Sequence, residues 1–166
     1  MYMKRIVFAL LFVLGLSVNP IFAQGVHIYN PQANATEQIA AAVKKAHTEG
    51  KNVFLQIGGN WCPWCVKFHG FCDNTPEIHQ LMEKDYVRVM VNYSKENKNL
   101  DVLAKLGYPQ RFGFPVLVIL NDKGERIHTQ NSAYLEEDGG YSIKKVAGFL
   151  KNWSPDALNP AHYASK

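Results

Sequence analysis

Trp61-Cys62-Pro63-Trp64-Cys65 holds two thiols separated by two residues, a spacing that can close a small, reversible disulfide. Cys-x-x-Cys pairs also bind zinc, so the flanking sequence has to decide between the two chemistries. Upstream, Asn52-Val53-Phe54-Leu55-Gln56-Ile57 is a short apolar run rich in β-branched and aromatic residues, and it stops at Gly58-Gly59 in the manner of a buried strand. Downstream, Cys65, Val66, Phe68 and Phe71 supply a broad apolar face for a helix. A strand, a glycine turn and a helix in that order place Cys62 at the helix N-terminus. There the unpaired backbone N–H groups and the positive end of the helix dipole stabilise a thiolate. The thiolate is the nucleophile of disulfide exchange, and Cys-x-x-Cys sites bring its pKa from ~8.5 to about 7 or below. Pro63 suits the first helical turn, which tolerates a residue without an N–H. Cys65, one turn further in, is placed to attack a mixed disulfide formed at Cys62.

The chain opens as a secretory signal does, with Lys4 and Arg5, an apolar run from Ile6 to about Val18, and then Asn19-Pro20-Ile21-Phe22-Ala23. The run is short of the ~20 apolar residues that span a bilayer. Cleavage is expected after Ala23, which assigns residues 1–23 to a signal peptide; an uncleaved membrane anchor is the alternative. No cysteine closely follows the run, which argues against a lipid-modified N-terminus. Without residues 1–23 the 166-residue chain retains 143, enough for one domain with a core. The formal charge of +4 falls to +2 when Lys4 and Arg5 leave, so the charge gives no reason to expect nucleic acid. The cluster Lys95-Glu96-Asn97-Lys98 mixes signs and reads as a solvated loop. Export gives access to an oxidising compartment, but three cysteines cannot all pair within one chain, which argues against a disulfide-stapled scaffold.

Residues 24–33 read as an N-terminal arm or, from Val26 to Tyr29, a short strand. Asn34 with Glu37 resembles a capping box, and Ile39, Val43 and Ala46 follow at helical spacing until Gly50. Thr75-Pro76 starts another helix with Ile78, Leu81 and Met82 on its apolar side. Val87, Val89 and Val91 alternate along a strand from Tyr86 to Tyr93, and Leu100 to Leu106 is a short helix ended by Gly107. Pro115 to Leu120 is a second apolar strand, joined through Asn121-Asp122-Lys123-Gly124 to a partner over Arg126 to Gln130. Ile143, Val146, Leu150 and Trp153 mark the last helix. Tyr134 and Glu136-Glu137-Asp138 read as a solvated connection, and residues 154–166 as a C-terminal tail.

In this order the chain resembles the thioredoxin superfamily over residues 34–153. Trp61-Cys62-Pro63-Trp64-Cys65 matches the family's WCxxC motif, and Gly113-Phe114-Pro115 before Val116-Leu117-Val118 matches its second landmark, a cis-proline opening the hairpin beside the site. Only about 5–6% of X–Pro bonds are cis, so a cis Phe114–Pro115 bond is implied by the resemblance alone. The resemblance implies an α/β thioredoxin fold, with a central mixed sheet of four or five strands flanked by helices on both faces. It makes Cys62 and Cys65 the catalytic pair and Trp61, Pro63, Trp64, Phe114 and Pro115 the substrate-binding surface, with the Phe114 backbone open to a substrate strand. The helix at Thr75-Pro76-Glu77 makes the chain look most like small exported members, including those resembling the terminal domain of transmembrane disulfide reductants. Two positions depart from the family. Gln56 stands where many thioredoxins bury an acid that takes the proton of the second thiol, and Gly70 stands where a kinking proline is common.

Cys62, Cys65, His69 and Cys72 also suggest a Cys₃His zinc set. At ~1.5 Å rise per residue, Cys62 and Cys72 lie about 15 Å apart along a straight helix, too far for one ion unless the helix breaks at Gly70. The same spacing keeps Cys72 from pairing with Cys62 or Cys65 and suggests a buried apolar thiol. His69 is either a tuner of the thiols or a packed side chain. The reading that results is an exported thiol–disulfide oxidoreductase, periplasmic or secreted and monomeric, acting on protein thiols and disulfides. It needs no metal or organic cofactor, is preferred as a reductase, and would draw electrons from a membrane redox partner. The competing class is a non-catalytic thioredoxin-fold binding module whose Cys-x-x-Cys is structural or metal-loaded.

Overall fold

In the computed structural model, which describes residues 27–164, one mixed sheet has the strand order β2-β1-β3-β4. The inner strand β1 (Asn52–Gly58) runs parallel to β2 (Tyr86–Asn92) and antiparallel to β3 (Val116–Leu120), and β4 (Arg126–Asn131) pairs antiparallel with β3. All residues of β1 and β3 are buried. Burial on both faces is why these strands read as near-continuous apolar runs. Strand alternation divides their side chains between two layers. Val53, Leu55, Ile57, Val116 and Val118 pack with α1 (Ala35–Glu49) and α4 (Leu100–Lys105). Phe54, Leu117 and Ile119 pack with α2 (Pro63–Asn74), α3 (Pro76–Asp85) and α5 (Ile143–Asn152). This is the α/β architecture that the thioredoxin resemblance implies, with four strands in the main sheet.

Local chemistry sets the element boundaries. Asn34 caps α1, its Oδ1 accepting from the N–H groups of Thr36 and Glu37, while its Nδ2 donates to Glu37 Oε1 at 3.0 Å. The capping box therefore closes through the Asn side chain. Gly50 ends α1 in a left-handed conformation, φ 66°, which costs glycine little. Thr75 is extended, as a residue before proline prefers, and so separates α2 from α3 at Pro76. α2 runs unbroken through Gly70.

One reading of the sequence requires correction, and another is decided between its two alternatives. The connection after β4 is structured: Ser132–Leu135 forms a 3₁₀ turn, and β5 (Glu136–Glu137) pairs with β6 (Gly140–Tyr141) in a separate two-stranded ribbon. Tyr134 and the acidic residues do face solvent, but the ribbon lodges Tyr141 against Phe68 at 4.8 Å between ring centroids. Residues 27–33 form an arm containing no strand, because side-chain hydrogen bonds from Asn60 take the place of strand pairing. Val26 and the expected signal peptide lie outside the described residues. No helix among the described residues is long and apolar enough to cross a membrane.

Phe54 is fully buried and meets the rings of Phe68, Tyr86 and Phe149 at 6.2, 5.9 and 6.1 Å. Phe54→Ala is expected to lower stability by about 3–5 kcal/mol through lost burial and a cavity. Urea denaturation checks this, with the exposed Tyr134→Ala as a control expected to change stability by no more than ~0.5 kcal/mol.

Candidate active site

Gly58 and Gly59 end β1 against the first turn of α2, and neither position has room for a side chain. A Cβ on Gly58 would lie 2.4 Å from Cys65 Sγ and 3.0 Å from the Tyr29 hydroxyl; one on Gly59 would lie 2.3 Å from Trp61 Nε1. The close approach seats Cys62 at the N-cap of α2, with Pro63 at the first helical position. Cys62 Sγ accepts the Cys65 N–H at 3.1 Å and is joined to Cys65 in a disulfide with Cα atoms 5.2 Å apart. The first turn of α2 carries no acidic residue to oppose negative charge on sulfur. Cys62 is 4% exposed and Cys65 0%, so only Cys62 reaches the surface.

Two of the five expected surface residues pack directly on the pair. Trp64 and Phe114 pack on the buried trio of Tyr29, Cys62 and Cys65, together with Ile28 and Met90. Trp61 is more than half exposed, donates from Nε1 to the Tyr93 carbonyl at 2.7 Å, and meets Phe114 edge-on at 5.5 Å. Pro63 is exposed beside them. Trp64 is partly covered: Tyr141 meets it edge-on at 5.5 Å and Lys67 Nζ lies 4.4 Å over its ring. The Phe114–Pro115 bond is cis, Pro115 is buried, and Val116 pairs with Ile57 near the end of β1. A cleft of about 540 Å³ lies beside Trp61, walled by Pro31, Asn60, Tyr93, Lys95 and Lys98. A larger one, about 600 Å³, lies at the far end of β1 around Asn52 and Trp153, away from the cysteines.

Gln56 is fully buried under the pair, its Nε2 donating to the Cys65 carbonyl at 2.9 Å and to the Tyr29 hydroxyl at 2.7 Å. Sequence reasoning missed Tyr29 and Asn60 as site residues. Asn60 Oδ1 accepts from the N–H groups of Ile28 and Tyr29, both at 2.9 Å, and its Nδ2 donates to the Tyr29 carbonyl at 2.8 Å. An Asn in the turn directly before the motif was the available signal. Tyr29 offered none, because its burial depends on this clamp from 31 residues away.

The four potential zinc ligands do not converge. Cys62 and Cys65 are bonded to each other, Cys72 packs in the core with Phe54, Ile78 and Met82, and His69 belongs to an ion-pair cluster. Arg88 Nη2 donates to His69 Nδ1 at 2.9 Å, which leaves the His69 proton on Nε2, 3.1 Å from Asp73 Oδ2; Arg88 Nη1 also pairs with Asp73 at 2.5 Å. His69 is thus tied to Asp73 and Arg88. Burial lowers its pKa, Asp73 opposing and Arg88 reinforcing the shift. Burial pushes the Cys72 thiol up to about 12.

A thioredoxin fold with a Cys-x-x-Cys disulfide at the N-terminus of the helix after its inner strand is an arrangement suited to thiol–disulfide exchange. The chain belongs to the thioredoxin-like family, whose model matches residues 34–122. It is 26% identical over 106 residues to the thiol:disulfide interchange protein DsbD of Klebsiella pneumoniae, an alignment spanning 64% of this chain and 17% of that protein. Its fold is similar to the disulphide isomerase of Xylella fastidiosa Temecula1, with TM-score 0.68, 23% identity, and coverage of 76% of this chain and 96% of that one.

Two measurements test these assignments. In the oxidised native protein at about pH 8, a chromogenic disulfide reagent is expected to report no thiol until urea releases Cys72, because only the exposed thiolate reacts. Folding depresses the His69 pKa, so the unfolded chain binds that proton more readily. The stability this gives is complete above the unfolded value of ~6.5 and is lost as pH falls below it through the folded value. Thermal melts of His69→Gln are accordingly expected to show a shallower fall in Tm than wild type between about pH 7 and about pH 5.

Proposed function

We propose that this protein is an exported thiol–disulfide oxidoreductase that exchanges disulfides with protein substrates through Cys62 and Cys65, working preferentially as a reductase. The observation that carries the reading is the asymmetry of the pair. Cys62 sits at the N-cap of α2 and alone reaches the surface, while Cys65 is buried behind it. In the reductive direction the Cys62 thiolate attacks a substrate disulfide and releases one substrate thiolate, forming a mixed disulfide. The Cys65 thiolate then attacks Cys62 Sγ, closing the Cys62–Cys65 bond and releasing the second substrate thiolate. Both released thiolates take up protons, and the two electrons lost by the protein dithiol reside on the substrate sulfurs.

Trp61, Pro63, Trp64, Phe114 and Pro115 form the substrate surface in this reading. The exposure of Trp61 and Pro63 and the packing of Phe114 on the cysteine pair support it. Similarity to an interchange protein, together with the resemblance to the terminal domain of transmembrane disulfide reductants, favours reduction and an electron supply from a membrane redox partner. The apolar run at residues 6–18 favours export to the periplasm or beyond, and the protein is proposed to act as a monomer.

Expression of Cys65→Ser is expected to trap covalent mixed disulfides at Cys62, visible as reducible high-mass bands, whereas Cys62→Ser traps none. The reading fails if neither variant traps a partner and ordinary dithiols leave the Cys62–Cys65 bond of the native protein intact.

A further inference from the structure

The residues beneath Cys65 suggest how a buried thiol without a neighbouring acid becomes a usable nucleophile. Gln56 cannot titrate, and its orientation is fixed by its surroundings. The Cys65 carbonyl can only accept, so the Gln56 group 2.9 Å from it is the Nε2 donor, and that same Nε2 also donates to the Tyr29 oxygen at 2.7 Å. A hydroxyl that accepts from Gln56 has its own proton to give in another direction. Cys65 Sγ is its neighbour in the same buried cluster: the Cβ position left empty at Gly58 is 2.4 Å from Cys65 Sγ and 3.0 Å from the Tyr29 oxygen, so the two atoms flank one side-chain-free space without being hydrogen-bonded while Cys65 is held in the disulfide. Tyr29 is 2% exposed, so water does not compete freely for the proton.

We propose that, in the reduced protein, the Tyr29 hydroxyl donates a hydrogen bond to the Cys65 thiolate, so that the clamped N-terminal arm stabilises the charged sulfur at a site that lacks a buried acid to take its proton. The inference rests on the exchange reading above and deepens it. Tyr29 keeps its proton throughout. Burial holds its hydroxyl above the ordinary tyrosine range, with the Gln56 hydrogen bond pulling the other way, so it acts as a donor and never as a base. The Cys65 thiol loses its proton to solvent, and its thiolate then attacks Cys62 Sγ of the mixed disulfide. In the opposite direction Cys65 departs from Cys62 as a thiolate and meets the same donor. Asn60 makes this possible by fixing the arm through three hydrogen bonds. The other groups bearing on Tyr29 are Arg88 from β2 and Tyr141 from β6, and from α2 the titratable groups at the pair are Cys62 and Cys65 themselves. His69 is occupied by Asp73 and Arg88. All of these are unchanged in a Tyr29→Phe variant, which keeps the ring and removes only the hydroxyl.

The test is the ionisation of Cys65 in the full reduced protein, followed by NMR of ¹³Cβ-labelled cysteine against pH. Tyr29→Phe is expected to raise the Cys65 pKa by about one unit, the effect of one charge-assisted hydrogen bond. Resolution of a preformed mixed disulfide with a model peptide should then slow about threefold near neutral pH, since lower thiolate content is partly offset by higher intrinsic nucleophilicity. The rate should recover to at least the wild-type plateau above the new pKa. In the wild type itself, the Tyr29 hydroxyl proton should move downfield as Cys65 ionises, a readout that needs no variant. An unchanged Cys65 pKa in Tyr29→Phe, or an equal loss of rate at every pH, overturns the proposal. Ionisation requires no substrate, so the two readings fail separately: a wild type that resolves no mixed disulfide overturns the exchange reading, while the Cys65 titration alone decides the hydrogen bond.

Discussion

The close approach of the end of β1 to the first turn of α2 is the constraint on which the site depends. Gly58 and Gly59 leave no side chain between strand and helix, and the atoms that fill the space are Cys65 Sγ, the Tyr29 hydroxyl and the Trp61 indole. A methyl group at either position would displace at least one of them. From this contact follow the burial of Cys65, the placement of Cys62 at the helix N-cap, and the anchoring of Trp61 on the Tyr93 carbonyl. The sheet holds the contact firm because β1 is flanked by β2 and β3 and covered on both faces.

Within that frame, the two sulfurs occupy different electrostatic surroundings despite lying three residues apart. Cys62 Sγ accepts the Cys65 N–H at the positive end of a 12-residue helix with no acidic residue in its first turn, which favours the charged form. Cys65 lies behind it in a desolvated pocket whose polar groups are neutral, Gln56 and Tyr29. Desolvation alone penalises a thiolate there, and only a donor aimed at the sulfur offsets it. The division of labour proposed for the pair is therefore a consequence of where each sulfur sits along one helical turn.

Much of this was legible in the sequence because it depends on local or periodic signals. The apolar runs of β1 and β3, the proline that parts α2 from α3, the Asn34 cap and the Asn121–Gly124 turn each carry their cause within a few residues. Gln56 was visible as a polar residue in an apolar strand. What escaped depends on contacts distant in sequence. Tyr29 and Asn60 are linked by hydrogen bonds across 31 residues, and neither position is marked by periodicity. The ribbon over 136–141 was hidden by its acidic, solvent-facing tip, while its one buried anchor, Tyr141, packs on rings from α2.

Cys72 shows how far burial outweighs residue type. It shares a helix with Cys62 and Cys65, yet it faces Phe54, Ile78 and Met82 in the core and its thiol is held neutral by desolvation. His69, the fourth member of the apparent zinc set, is drawn instead to Asp73 and Arg88, so its imidazole is occupied before any metal is considered. A continuous helix is what separates these fates. Had α2 broken at Gly70, Cys72 could have turned back toward the cysteine pair and metal chemistry would have competed. Because α2 continues, Cys72 belongs to the core and the exchangeable disulfide has no third thiol within reach to divert it.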